Sequence, residues 1–326
     1  MTSEENRLRL TILGGFLGAG KSTWLRHQLF ARTYDQPHVI VNEVASHAVD
    51  DTLLADARHL DVLAGGCVCC DQREAMIALL RDVCNNRSRK DVGHQTPHLV
   101  FEMSGVAEPS QVMAAIQEDP ILARHIKLEQ IIVIVDALHG LEQLCTEPLS
   151  LRQIEAADQI LVAKVDSCDE QSLEILAATL RQINPGAELR ACVFGVDHPL
   201  SESITAQPVQ LPDLDGQDEE PLSSLPLDLN DFGQGGDNWV GFSIWLSAML
   251  HSHGNRMVRV KGVVRTPSGR LLLQSVRKVM QAPEMLPKLP EFDERSNDNT
   301  IVLIGRGLDL ERIRKSLHHI VTMAKN

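Results

Sequence analysis

Residues 15–22 read GFLGAGKS, a full match to G-x-x-x-x-G-K-[ST], directly after the apolar Leu8, Leu10, Ile12 and Leu13 and before the helix-favouring Thr23-Trp24-Leu25-Arg26. A strand, a glycine turn and a helix in that order form a phosphate-binding loop. The backbone N–H groups around Gly15, Gly18, Ala19 and Gly20 can curl around a β-phosphate, and Lys21 supplies a compact positive charge to the β/γ oxygens. Ser22, followed by Thr23, offers a hydroxyl to Mg²⁺. The expected ligand is a nucleoside triphosphate.

Around this turn the pattern is that of an α/β protein. Short β-branched runs at residues 39–41, 60–63, 99–101, 131–135, 160–162 and 189–193 alternate with longer helical patterns, which predicts a P-loop NTPase domain with a mainly parallel sheet over residues 1–196. Residues 197–237 turn to Pro, Asp, Glu, Gly and Ser and are expected to form an acidic flexible linker. Beyond it, residues 242–250 and 308–323 look helical, and residues 257–265, 270–280 and 300–304 look like strands, which predicts a smaller α+β domain over residues 238–326.

Composition narrows the partners. The 326 residues carry 31 Lys plus Arg against 44 Asp plus Glu, a net charge of −13, which repels a nucleic-acid backbone. The polar start, Met1 to Arg7, has no apolar h-region, and no run of about 18 apolar residues occurs, so neither a leader nor a membrane span is expected and the reading is cytoplasmic.

Three further segments bear on the nucleotide. After the run 99–101 comes Glu102-Met103-Ser104-Gly105, where an acid at a strand end can hold Mg²⁺ through water and Gly105 can give its N–H to a γ-phosphate. Residues 163–166, Ala-Lys-Val-Asp, approach the N-K-x-D that reads guanine: the stem of Lys164 would lie over the base and Asp166 would accept from its N1 and N2 groups. Asn184-Pro185-Gly186-Ala187 is expected to supply a last base-contacting loop.

Cysteine usage adds a second chemistry. Cys67, Cys69 and Cys70 stand within four positions after Gly65-Gly66, whereas Cys84, Cys145, Cys168 and Cys192 are scattered. Thiolates so spaced suit Zn²⁺ or another borderline-soft divalent ion, and Glu43 or His47 can complete a tetrahedron. Buried small hydrophobes or a redox pair are the competing readings.

Taken together, these motifs resemble the CobW-type metallochaperone GTPases of the SIMIBI class over nearly the whole length. The carrying residues are GGFLGAGKST at 14–23, Asn42-Glu43, Asp50-Asp51, GGCVCC at 65–70, EMSGVAEP at 102–109, VIVDA at 133–137 and AADQILVAKVD at 156–166. RVKG at 259–262 and IGRGLD at 304–309 extend the likeness. The resemblance implies Mg²⁺-dependent GTP hydrolysis coupled to delivery of Zn²⁺ or Co²⁺ to a client metalloenzyme or its activator complex. Three positions depart from it: Ala163 for asparagine, Val44-Ala45 for Phe-Gly, and Ser46 for an acid.

The expected mechanism is a switch in which GTP and Mg²⁺ order residues 43–51 and 104–108 and hydrolysis releases the metal. Val106 stands where a water-orienting glutamine would follow Gly105, so intrinsic turnover is expected to be slow, with client docking or homodimerisation as accelerators. The alternatives are a small-molecule kinase and a non-catalytic nucleotide-binding metal sensor or scaffold.

Overall fold

The computed structural model describes residues 7–34, 36–43, 59–64, 72–88, 98–200, 206–212, 222–230, 239–253, 256–276, 279–280, 283–286 and 299–323. The chain divides into two compact units, Met1–Asp215 and Gly216–Asn326.

In the first unit the elements follow as β1 (Leu8–Gly15), α1 (Lys21–Phe30), β2 (His38–Glu43), β3 (His59–Ala64), α2 (Arg73–Ser88), β4 (His98–Glu102), α3 (Pro109–Glu118), α4 (Pro120–His125) and β5 (Ile126–Asp136). Then come α5 (Gly140–Thr146), α6 (Pro148–Ala156), β6 (Gln159–Ala163), α7 (Glu170–Ile183), β7 (Glu188–Val193) and β8 (Val196–Pro199). They build an eight-stranded sheet in the order β3-β2-β4-β1-β5-β6-β7-β8. Every neighbouring pair is parallel except β7 with β8. Ile12, Leu13, Phe101, Ile132, Val133 and Leu161 are almost wholly buried, as strands covered on both faces require.

The order explains where a ligand can sit. The chain leaves β1 toward β2 and β3, returns to place β4 on one side of β1, and then places β5 on the other. The carboxyl ends of β1, β4 and β5 therefore surround the point where the winding direction reverses, the usual crevice of an open α/β sheet.

The second unit contains β9 (Leu222–Asp228), α8 (Trp239–His253), β10 (Met257–Thr266), β11 (Gly269–Val276), β12 (Val279–Met280), β13 (Glu284–Met285), β14 (Thr300–Arg306) and α9 (Leu310–Met323). Its sheet runs β12-β11-β10-β14-β9, with β13 also on β11. One apolar core joins Phe242, Trp245 and Leu246 of α8 to Val260, Leu303 and Leu317, and Trp245 Nε1 donates to Ser316 Oγ of α9 at 2.9 Å. A Cβ at Gly262 would lie 2.3 Å from the Thr300 carbonyl, so the glycine of the RVKG segment lets β10 and β14 close on each other.

Two expectations need correction here. Part of the expected linker, Leu222–Asp228, is the edge strand β9, paired antiparallel with β14 from Thr300↔Asp228 to Arg306↔Leu222. Its polar composition hid an alternation in which Leu225, Leu227 and Leu229 turn inward, and Pro226 is tolerated because the strand lies at the sheet edge. The single strand expected over residues 270–280 is two, since β12 folds back on β11 with Val276 opposite Val279. Among the described residues no helix is long and apolar enough to cross a membrane.

Candidate functional site

The turn between β1 and α1 lies at the switch point. Gly15, Gly18 and Gly20 have φ of 134°, 74° and 99°, conformations that L side chains rarely adopt. A Cβ on Gly15 would also lie 2.3 Å from the Ile134 carbonyl, whereas the same atom on Gly18 or Gly20 would meet nothing within 4 Å. The buried Lys21 donates to the carbonyls of Gly15 at 3.1 Å and Phe16 at 3.0 Å, which curls the loop around its own ammonium. Helix α1 has no acid in its first turn, so its amino end offers unopposed N–H groups to an anion.

The residues expected to serve Mg²⁺ are in contact. Glu102, at the end of β4, accepts a hydrogen bond from Ser22 Oγ at 2.6 Å. A hydroxyl and a carboxylate side by side are hard oxygen donors suited to Mg²⁺. Gly105 follows at the tip of the next loop, where a Cβ would lie 2.8 Å from Cα and N of Leu17, so only glycine lets that loop rest on the phosphate loop.

On the other side of β1, Lys164 has left-handed backbone, φ 62°, and opens a 3-10 turn over Val165–Ser167 that carries the exposed Asp166. Its ammonium reaches the Gly18 carbonyl at 3.0 Å and Asp136 Oδ2 at 2.7 Å. Sequence reasoning missed Asp136 as a site residue. It is the last residue of β5, directly opposite Ala163 in the β5–β6 register, and its other oxygen accepts from Leu138 N at 2.8 Å. The carboxylate thus fixes the loop from the position facing the absent asparagine.

Asn184 is not in a base-contacting loop. Its Nδ2 donates to the carbonyls of Ile154 at 2.8 Å and Ala157 at 2.9 Å, joining the ends of α6 and α7 ahead of β6 and β7. That is the amino end of the parallel strands, opposite the phosphate loop. The loop at the correct end follows β7: Phe194 and Gly195, φ 49° and 90°, turn the chain into β8. The Gly195 carbonyl accepts from Gln28 Nε2 of α1 at 2.9 Å, and Phe194 is 81% exposed.

Cys67, Cys69, Cys70 and His47 lie outside the described residues. Glu43 closes β2 opposite Ala64, the last residue of β3, so the chain enters the cysteine segment from beside Glu43. Burial pushes the thiols of Cys84 and Cys192 up to about 11 and raises that of Cys168. Burial thus disfavours their reactive thiolate form. Among the described residues no group of three His, Cys, Asp or Glu can hold a metal ion.

Residues 9–190, more than half of the chain, match the family described as CobW/HypB/UreG, nucleotide-binding domain. The chain belongs to the CobW/HypB/UreG family. Residues 237–321 also match the cobalamin synthesis protein CobW C-terminal domain. The CobW-type chain is 28% identical to the zinc chaperone YjiA of Escherichia coli, over 95% of this chain and 97% of that one. It is 25% identical to the zinc-regulated GTPase metalloprotein activator 1 of Schizosaccharomyces pombe, covering 92% of this chain and 82% of the relative. A crystal structure of Zn(II)-bound YjiA GTPase from E. coli shares the fold at a TM-score of 0.59 and 23% identity, over 97% of this chain and 99% of that one.

Proposed function

We propose that the chain is a Mg²⁺-dependent GTPase that carries zinc or cobalt on Cys67, Cys69 and Cys70, with Glu43, and hands it to a client metalloenzyme. The observation that carries the reading is the double contact of Lys164, to Asp136 at 2.7 Å and to the Gly18 carbonyl at 3.0 Å. It ties the segment expected to read guanine to the phosphate loop, a link that supports a nucleotide switch over a kinase indifferent to its base. The names of the relatives, a zinc chaperone and a zinc-regulated GTPase metalloprotein activator, support the metal half.

The chain's residues divide the task. Lys21 leaves the two carbonyls it now holds for the β/γ oxygens, and the N–H groups of residues 18–22 take the β-phosphate. Asp166 accepts from guanine N1 and N2 while the stem of Lys164 covers the base. Ser22 and Glu102 would hold Mg²⁺, which when bound would neutralise charge on the leaving diphosphate. Gly105 presents its N–H to the γ-phosphate, and loss of that phosphate frees the loop and alters the grip on the carried metal.

The test is formation of GDP from GTP, with and without Zn²⁺, in the wild type and Lys21→Ala. The Lys164 ammonium is already held by Asp136 and the Gly18 carbonyl, so without Lys21 kcat/KM should fall about 100-fold or more in the variant. Unchanged hydrolysis in Lys21→Ala would remove the site assignment, and equal competition by ATP and GTP would remove the guanine reading.

A further inference from the structure

Helix α6 grips the loop that follows β4. Gln153 is 1% exposed, and its Nε2 donates to the carbonyls of both Gly105, at 3.1 Å, and Ala107, at 2.8 Å. One residue earlier, Arg152 Nε lies 3.3 Å from Glu108 Oε2. Glu108 itself accepts from Ser110 Oγ and from Gln111 Nε2. The loop also packs on the phosphate loop, where Gly105 approaches Leu17.

These contacts answer a problem that Gly105 creates. Only glycine fits against Leu17, yet glycine leaves the orientation of its own peptides least determined. One planar amide bonded to the carbonyls of Gly105 and Ala107 supplies the missing constraint. The amide is not there for packing, because Gln153 Oε1 has no hydrogen-bond partner among the described residues, a burden that an apolar side chain of similar size would not bring.

We propose that Gln153 is a positioning residue that holds Gly105 in the orientation that senses the γ-phosphate, so that α6 sets how strongly the chain distinguishes GTP from GDP. The inference rests on the reading of Gly105 given above. GDP would reach the loop of residues 16–22 and the Lys164 turn, whereas among the described residues the hydrogen bonds of Gln153 Nε2 go to Gly105 and Ala107, so GDP binding should depend little on the amide.

The experiment measures affinities for GDP and for a non-hydrolysable GTP analogue, with single-turnover hydrolysis, on the full chain carrying Gln153→Leu or Arg152→Met. For Gln153→Leu the GDP affinity should stay within about twofold, while analogue affinity and the turnover rate each fall about tenfold, as expected for losing such hydrogen bonds. Arg152→Met should shift the same ratio in the same direction by less. Arg152 is partly exposed, so this variant decides the matter if Gln153→Leu does not fold. Equal losses for both nucleotides, or no loss for either, would reduce α6 to scaffold and overturn the proposal. A wild-type chain that binds no GTP would instead sink the nucleotide site itself, a result told apart by the control.

Discussion

At the scale of single residues, Asp136 shows how a motif position to which the sequence assigned no role can organise a site. It is buried, paired with Lys164 at 2.7 Å and opposite Ala163 across the β5–β6 register. Asp136→Asn keeps the shape but removes the charge that holds the ammonium over the phosphate loop. The lysine side is 43% exposed, so the expected loss is about 1–2 kcal/mol, roughly tenfold weaker binding of both GTP and GDP. Competition against labelled GDP measures it. In a Lys164→Ala background the same substitution should add nothing, and a full further tenfold loss there would show that Asp136 acts elsewhere. The contrast with Lys21 explains what could be read beforehand. GFLGAGKS is contiguous and announces its geometry, whereas the Asp136–Lys164 pair spans 28 residues and exists only once the register of two strands is set.

At the scale of elements, legibility followed the strength of the periodic signal. The apolar runs of β4, β6 and the second half of β5 were visible as such, whereas the first half of β5, with Lys127, Glu129 and Gln130, was not read as strand. Strand β9 was not, because serine, proline and aspartate dominate it, and its apolar alternation is recognisable only against a partner 70 or more residues away, as in Asp228↔Thr300. Asn184 was misplaced for a different reason: the loops of a parallel sheet alternate between its two ends, and a segment preceding a strand lies at the end away from the ligand. The strand assignment of β9 is open to a direct check. Leu227 is 0% exposed, so Leu227→Ala should cost about 2–5 kcal/mol in the second unit. Urea unfolding followed by tryptophan fluorescence would register this as a lowered midpoint. An unchanged midpoint would return the segment to the linker.

At the scale of the whole molecule, the proposed function requires the metal and nucleotide to communicate. Glu43 closes β2 two residues beyond Val41, which lies in register with Glu102 of β4. Zn²⁺ affinity should therefore differ between the GDP form and the form bound to a non-hydrolysable GTP analogue, by a factor of roughly 5 to 150, and bound Zn²⁺ should change the preference between the two nucleotides by the same factor. Titration against a competing chelator in both forms tests this reciprocity. Identical affinities would leave two independent sites on one chain and no driving force for a switch.

The strand order carries a consequence for how such a cycle ends. Asp136 ends β5 and Lys164 and Asp166 follow β6 on one side of β1, while Glu43 and Glu102 end β2 and β4, with Gly105 just beyond, on the other. On the proposed function, the nucleoside and the terminal phosphate would thus be moored on opposite banks of a single strand. Cutting the phosphate mooring would leave the nucleoside one intact, so on this reading cargo would leave while the spent guanine nucleotide stays. Reloading then becomes a separate event with its own rate, and a chain waiting in that state is already marked as empty-handed.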